Sequence, residues 1–297
     1  MCSMVSFRKL GLLLATWMAV AAVPAKSAEL VLQVEPTFPA DQIREVYAPL
    51  LSYLNRSTGF RFTLRVAPNF NQHWRELRAG GGGDVVFEEG HFFDYRHKRS
   101  GYLPLARTVE DSAFVIAVAD PDIVAEGREG IVGRTVASLG APNLGHVLVF
   151  DSFRNPLAQP EIRAISSKWS DGPDLIFAGD VEGTLLPSYM AEENPALTGI
   201  WRSRSVPGRV FSASPRLPEA DRARIAEALL RLHEDPEAFL ILNELRSERF
   251  VATEAAAYDG LERLLSTTFG YVPPRQAAAA AAPAPAATPA PAPTGTP

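Results

Sequence analysis

The sequence has 297 residues, a formal net charge of −5 from 29 Lys and Arg against 34 Asp and Glu, and a single cysteine. That length gives one or two domains a sizeable core. The acidic balance, with no basic block, argues against a nucleic-acid partner, and one cysteine excludes a disulfide framework.

Arg8 and Lys9 precede an apolar run over 10–23 that is too short for a comfortable membrane span, and small residues follow it. This predicts a signal peptide at 1–28, cut after Ala25, Ser27 or Ala28, and a periplasmic address. Cys2 lies before the apolar run and leaves with it, so the exported chain has no thiol chemistry.

From Glu29 the pattern alternates strand and helix. A β-rich run at 30–34 ends in Pro36-Thr37-Phe38-Pro39, and Asp41 is placed to cap a helix reaching about Arg56. Ile43, Tyr47, Leu50, Leu51 and Leu54 fall on one face of that helix, and Gly59 stops it. A strand at 61–66 and a helix around Trp74 follow, and four glycines at 80–83 then allow a tight turn into the strand 84–87. After Phe87 the chain breaks into Glu88, Glu89, Gly90, His91 and an aromatic cluster. Ligands of open α/β units sit in the turn after the carboxyl end of such a strand.

A second set begins at Ser112, with strands at 113–118 and 134–139, an apolar helix at 146–153, a strand at 161–166 and a helix at 172–178. Gly179-Asp180-Val181-Glu182-Gly183 then leads into the strand 184–186, a loose echo of the glycine turn and strand at 80–87. Amphipathic helices are predicted at 218–232 and 236–245, and a last helix at 254–267 packs back on the first lobe. The prediction is an α/β protein of two Rossmann-like lobes joined by a two-crossing hinge near 109–112 and 205–210. Lobe 1 is 29–111 with 207–275, and lobe 2 is 112–206. The segment 276–297 is almost wholly Ala, Pro and Thr, cannot bury a core, and is predicted to be a disordered tail.

Four motifs in this order carry a family resemblance: Tyr47-Ala48-Pro49-Leu50-Leu51-Ser52-Tyr53-Leu54 in the first helix, Gly81-Gly82-Gly83-Asp84-Val85-Val86-Phe87, Gly179-Asp180-Val181-Glu182, and Trp201-Arg202-Ser203-Arg204-Ser205-Val206-Pro207-Gly208 in the return crossing. Together they resemble the phosphonate/phosphite periplasmic solute-binding proteins, which have the type-2 periplasmic binding fold. The resemblance implies capture of a small molecule between the lobes and its presentation to an inner-membrane ABC permease.

Relatives usually open the first helix of the second lobe with a Ser-Thr-Ser-Gly-like turn, whose hydroxyls and backbone N–H groups hold phosphonate oxygens. Here the turn reads Pro142-Asn143-Leu144-Gly145, without hydroxyls and with a proline that has no N–H. Losing such donors to an anion costs about 1.5–3 kcal/mol each. The expected ligand-binding residues are Thr37, Glu88, Glu89, His91, Phe92, Asn143, Gly145, His146 and Glu182. Carboxylates suit an amine or other cation, and Phe38, Phe92 and Phe93 can pack an organic body.

No cofactor or metal is expected, since the histidines form no tight His-x-x-x-His pair. No catalytic residue is expected either: there is no Gly-x-Ser-x-Gly elbow, P-loop or His-Glu-x-x-His, so the chain does not read as an enzyme. The leading expectation is a monomeric periplasmic solute-binding protein that serves an ABC importer. The altered anion turn and the Ala/Pro tail motivate an alternative of another class, a periplasmic sensor or accessory protein that signals to a membrane partner.

Overall fold

The structure, a computed structural model, describes residues 28–267 and Tyr271. The predicted signal peptide, up to its last residue, and the Ala/Pro tail lie outside the described residues.

The first six elements are β1 (Glu29–Val34), α1 (Ile43–Thr58), β2 (Arg61–Val66), α2 (Phe70–Arg78), β3 (Val85–Glu88) and α3 (Gly90–Ser100). Next come β4 (Leu103–Thr108), β5 (Phe114–Val118), α4 (Pro121–Glu126), β6 (Thr135–Ala137) and α5 (Leu144–Ser152). They are followed by β7 (Glu161–Arg163), α6 (Asp171–Phe177), β8 (Gly183–Pro187), α7 (Ser188–Glu192) and β9 (Thr198–Arg202). The chain continues through β10 (Val210–Ala213), α8 (Glu219–Leu230), α9 (Ala238–Leu245) and β11 (Phe250–Val251).

Among the described residues these strands make two sheets, ordered β11-β4-β10-β3-β1-β2 and β7-β6-β8-β5-β9. Each sheet has a parallel core, β2-β1-β3 in one and β7-β6-β8 in the other, flanked by an antiparallel strand, β10 or β5. The echo between the glycine turns has this origin: β3 and β8 hold the same place, each between a parallel and an antiparallel neighbour.

The α1 stripe of Ile43, Tyr47, Leu50 and Leu54 is buried against the first sheet together with Ile225 and Leu229 of α8 and Ile241 of α9. Gly59 ends α1 in the left-handed region, at φ 73°. Asp41 does not cap this helix. The N–H groups of Gln42 and Ile43 both donate to the Pro39 carbonyl, so a backbone turn closes the helix entry.

The predicted last helix is two short 3-10 turns, Ala255–Tyr258 and Leu261–Thr267, separated by Gly260 at φ 91°. Nor do they pack on one lobe alone. Tyr258, Leu261 and Leu264 share a cluster with Phe93 of α3 and with Phe114, Val147 and Leu185 of the second sheet. The Asp94 carboxylate accepts the Glu262 N–H at 3.1 Å and fixes the second turn on α3.

The two crossings pair with each other. Ser112 and Val206 exchange both backbone hydrogen bonds, at 2.8 and 3.0 Å, and the Thr108 N–H donates to the Arg209 carbonyl at 2.9 Å. Gly208 is required here by close approach, because a Cβ would collide with the Glu110 carbonyl oxygen and the Thr108 hydroxyl.

Candidate functional site

The carboxyl ends of β1 and β3 in one sheet and of β8 in the other open onto a common cavity of about 110 Å³. Thr37 and Phe38 follow β1, Glu89 follows β3, and Pro187, Ser188 and Tyr189 close β8. Thr108 and residues 110–114 of the first crossing, Trp169, Arg209, Glu244 and Arg246 complete its wall. A wider groove of about 740 Å³ adjoins it and shares Glu110, Asp111, Ser188, Tyr189 and Arg246.

The Glu89 carboxylate and the Arg209 guanidinium line the cavity, with the buried Glu35 carboxylate beside Glu89. The buried Glu35 side chain, one residue past β1, accepts the Glu89 N–H at 3.1 Å. The Glu89 carboxylate in turn accepts the Ser112 hydroxyl at 2.8 Å, which ties the end of β3 to the crossing. Arg209 covers the Phe87 ring at 4.7 Å and donates to the Leu245 carbonyl. Burial pushes Glu35 well above the usual carboxylate range, and the neighbouring Glu89 charge adds to the rise. Glu89 is also raised by burial, against the opposing pull of Arg209 and the Ser112 hydroxyl. Burial disfavours the Arg209 charge, but Tyr47, Glu89, Tyr189 and Glu35 around it hold its pKa above the ordinary arginine value.

The expected site residues divide into those on the cavity and those elsewhere. Thr37 and Glu89 line it. Glu88 points to the other face of β3, where Arg96 grips it through two hydrogen bonds at 2.7 and 3.0 Å and His73 lies 3.6 Å away. Burial alone would raise its pKa, yet Arg96 and His73 bring it down to about 2. Adjacent residues at a strand end face opposite ways, which separates these two glutamates.

His91 is fully buried, and its Nε2–H donates to the Pro142 carbonyl at 2.9 Å. A carbonyl only accepts, so this contact fixes the tautomer. Burial holds the imidazole at about 4, hence neutral. Phe92 stacks on His91 at 4.0 Å within an aromatic core that includes Phe70 and Trp74. The loops around His91 and Pro142 therefore do face each other, but they touch, and the open space lies to one side of them.

Asn143 caps α5: its Oδ1 accepts the His146 N–H at 2.9 Å, and its amide donates to the Leu139 and Gly140 carbonyls. Gly145 lets α5 approach the second sheet, since a Cβ there would stand 2.6 Å from the Phe114 ring. His146 lies half-buried beside Phe150 at 4.7 Å, and burial lowers it to about 4. Glu182 precedes β8, at the end of that strand away from the cavity, and its carboxylate accepts the Thr135 N–H at 2.8 Å. None of residues 142–146 lines the cavity.

Sequence reasoning missed Glu35, Ser112, Tyr189 and Arg209. The strand-end rule that singled out Glu88 and Glu89 applies equally to Glu35 after β1 and to Ser188 and Tyr189 after β8. Arg209 directly follows the last residue of the return-crossing motif.

The chain matches the family described as "ABC transporter, phosphonate, periplasmic substrate-binding protein" over residues 32–147 and 175–258. Its fold is similar to PhnD1 of Prochlorococcus marinus in complex with methylphosphonate, at a TM-score of 0.67 and 13% identity, covering 80% of this chain and 97% of that one. It is also similar to a binding protein component of a phosphonate ABC transporter from Pseudomonas aeruginosa, at 0.66 and 14%, covering 86% and 93%. XAC2383 of Xanthomonas citri bound to ATP gives 0.62 and 20%, covering 80% and 96%. No curated protein matches the chain in sequence. At these identities the solved structures speak for the fold alone.

Proposed function

The chain belongs to the family of periplasmic substrate-binding proteins of phosphonate ABC transporters, and from that membership we propose that it captures its solute in the cavity at the carboxyl ends of β1, β3 and β8. The observation that carries this is the composition of the wall: residues from both sheets and from the crossing between them line one space. Closure about the paired crossings would bring Thr37 and Glu89 toward Ser188 and Tyr189. Of the expected residues, Thr37 and Glu89 remain our candidates for ligand contact, joined by Ser112, Tyr189 and Arg209.

On this reading residues 29–111 with 207–275 form one moving unit and 112–206 the other. The exported, monomeric protein hands its solute to an inner-membrane permease and performs no chemistry on it. No comparison favours the sensor alternative.

Thermal shift against a solute panel, with methylphosphonate as the reference anion, tests the proposal. A ligand at about 100 times its dissociation constant adds about 2.7 kcal/mol to the folded state. Silence across phosphonates, phosphate esters, amines and amino acids would overturn it.

A further inference from the structure

Thr37, Glu89 and Ser112 stand on three separate segments at the cleft, and one buried residue ties them together. The turn after β1 runs Glu35-Pro36-Thr37 and is closed by the Thr37 N–H, which donates to the Glu35 carbonyl at 2.9 Å. Glu35 is 3% exposed, and its side chain reaches from this turn to the end of β3, where it accepts the Glu89 N–H at 3.1 Å. The Glu89 carboxylate carries the connection on to the Ser112 hydroxyl of the first crossing, at 2.8 Å. An apolar side chain at position 35 would leave the Glu89 N–H without this acceptor and the turn untied from β3.

The same carboxylate belongs to a charged group of unequal signs. Facing it are Glu88 and Glu89 at the end of β3, Arg209 ahead of β10 and Tyr47 on α1. Glu88 is held on the far face of β3 by Arg96. Tyr189 of α7 faces Arg209 as well. Both tyrosines stay uncharged, since burial raises Tyr47 to about 12 and also raises Tyr189. The other arginine of the wall, Arg246, is paired with Glu193 at 3.2 Å. That leaves Glu35 and Glu89 against the one guanidinium of Arg209, which lines the cavity with Glu89. When both carboxylates are ionised, two negative charges outweigh one positive, and the group repels an anion. With one of them protonated the charges balance, and an anion meets Arg209 unopposed. Glu35 is the one placed to take the proton, being the more deeply buried of the two.

We infer that Glu35 is a positioning residue of the cleft: it sets Thr37 and Glu89 in place, and the proton it takes from solvent lets Arg209 attract a solute anion. This rests on the solute-capture reading above and makes capture proton-linked. Affinity is highest where Glu35 is protonated and falls as pH rises through its folded-state value.

Isothermal titration with methylphosphonate, from about pH 5 to about pH 9, of the parent, Glu35→Gln and Glu35→Ala decides it. In Glu35→Gln the amide oxygen still accepts the Glu89 N–H, and the side chain exchanges no proton. Its affinity relative to the parent's should rise at least about tenfold from acid to alkali, the effect of removing one unit charge near an anion. The second ionisation of methylphosphonate and the wall carboxylates Glu110, Asp111 and Glu244 are common to both chains, so this ratio isolates Glu35. Glu35→Ala lacks the bridge and should bind more weakly than Glu35→Gln at every pH. A Gln-to-parent ratio that stays level across the range overturns the inference, as does an alanine variant that binds as tightly as Glu35→Gln. If the alanine variant does not fold, the glutamine ratio alone decides. A parent that binds no methylphosphonate at any of these pH values also overturns the inference, while solute capture stands or falls on the wider panel.

Discussion

His91 and Pro142 hold the two sheets together at one edge of the cleft: a fully buried, neutral imidazole on α3 donates its Nε2–H to the carbonyl just ahead of α5, at 2.9 Å. Relatives are expected to keep anion-binding groups at that helix start. Here the place is filled from within the chain, and the cavity lies beside Glu89, Ser112 and Tyr189.

This contact makes stability sensitive to acid. His91 is lowered to about 4 by burial, so it stays neutral in the folded chain while its unfolded counterpart takes up a proton below about 6.5. Its contribution is fully present above that unfolded value and is lost as pH falls toward 4, up to about 3 kcal/mol. His146, also lowered to about 4, acts in the same window. Melting temperature measured across this range should fall steeply with acidification, and His91→Phe, which keeps the stacking on Phe92, should flatten the fall.

Glu35 should act in the opposite sense. Its folded-state pKa lies above the unfolded one, so the stability it contributes is complete below the unfolded value and fades as pH rises through the folded one. Glu35→Gln removes the titration while keeping an oxygen for the Glu89 N–H. The variant should gain on the parent in melts as pH rises, and a parent that is equally favoured at alkaline pH would refute the raised pKa of Glu35.

Arg96→Met leaves the Glu88 carboxylate buried without its guanidinium. The expected destabilisation is about 3–5 kcal/mol, read as a lower urea midpoint at unchanged slope. Replacing both partners with apolar residues should recover much of it, because no buried charge then remains. Neither change touches the cavity wall, so affinity measured on the folded fraction should stay near the parent's.

Gly208→Ala places a methyl group against the Glu110 carbonyl and the Thr108 hydroxyl. Overpacking of this kind costs about 1–3 kcal/mol. Because the clash pushes the crossings apart beside Glu110, ligand affinity should drop along with the melting temperature. Unchanged affinity in a destabilised variant would separate the hinge from the site.

The sheet elements were legible in the sequence because strands such as 113–118 and 61–66 announce themselves by β-branched and aromatic runs between turn residues. The Glu88–Glu89 pair was recognised as a strand end, but not which glutamate faced the cleft. That depends on the partner waiting on the other side, and Arg96 lies one helical face away on α3. His91 and Asn143 read as polar groups near a ligand, whereas one bonds the Pro142 carbonyl through its Nε2 and the other caps α5. Pattern alone does not tell these apart, because both require a donor or acceptor in the same loop. The final 3-10 turns escaped notice for a related reason: an apolar spacing of three or four fits a helix on one lobe as well as a wedge between two.

The two crossings, stitched by reciprocal bonds at Ser112 and Val206, make a two-ply strap and not a pair of loose threads. Flexing such a ribbon across its flat face leaves both bonds intact, whereas shearing one ply along the other breaks them. On the proposed reading of two moving units, closure would follow that one easy direction. A membrane partner that samples the outer rim would meet a single shut shape, whichever solute had drawn it closed.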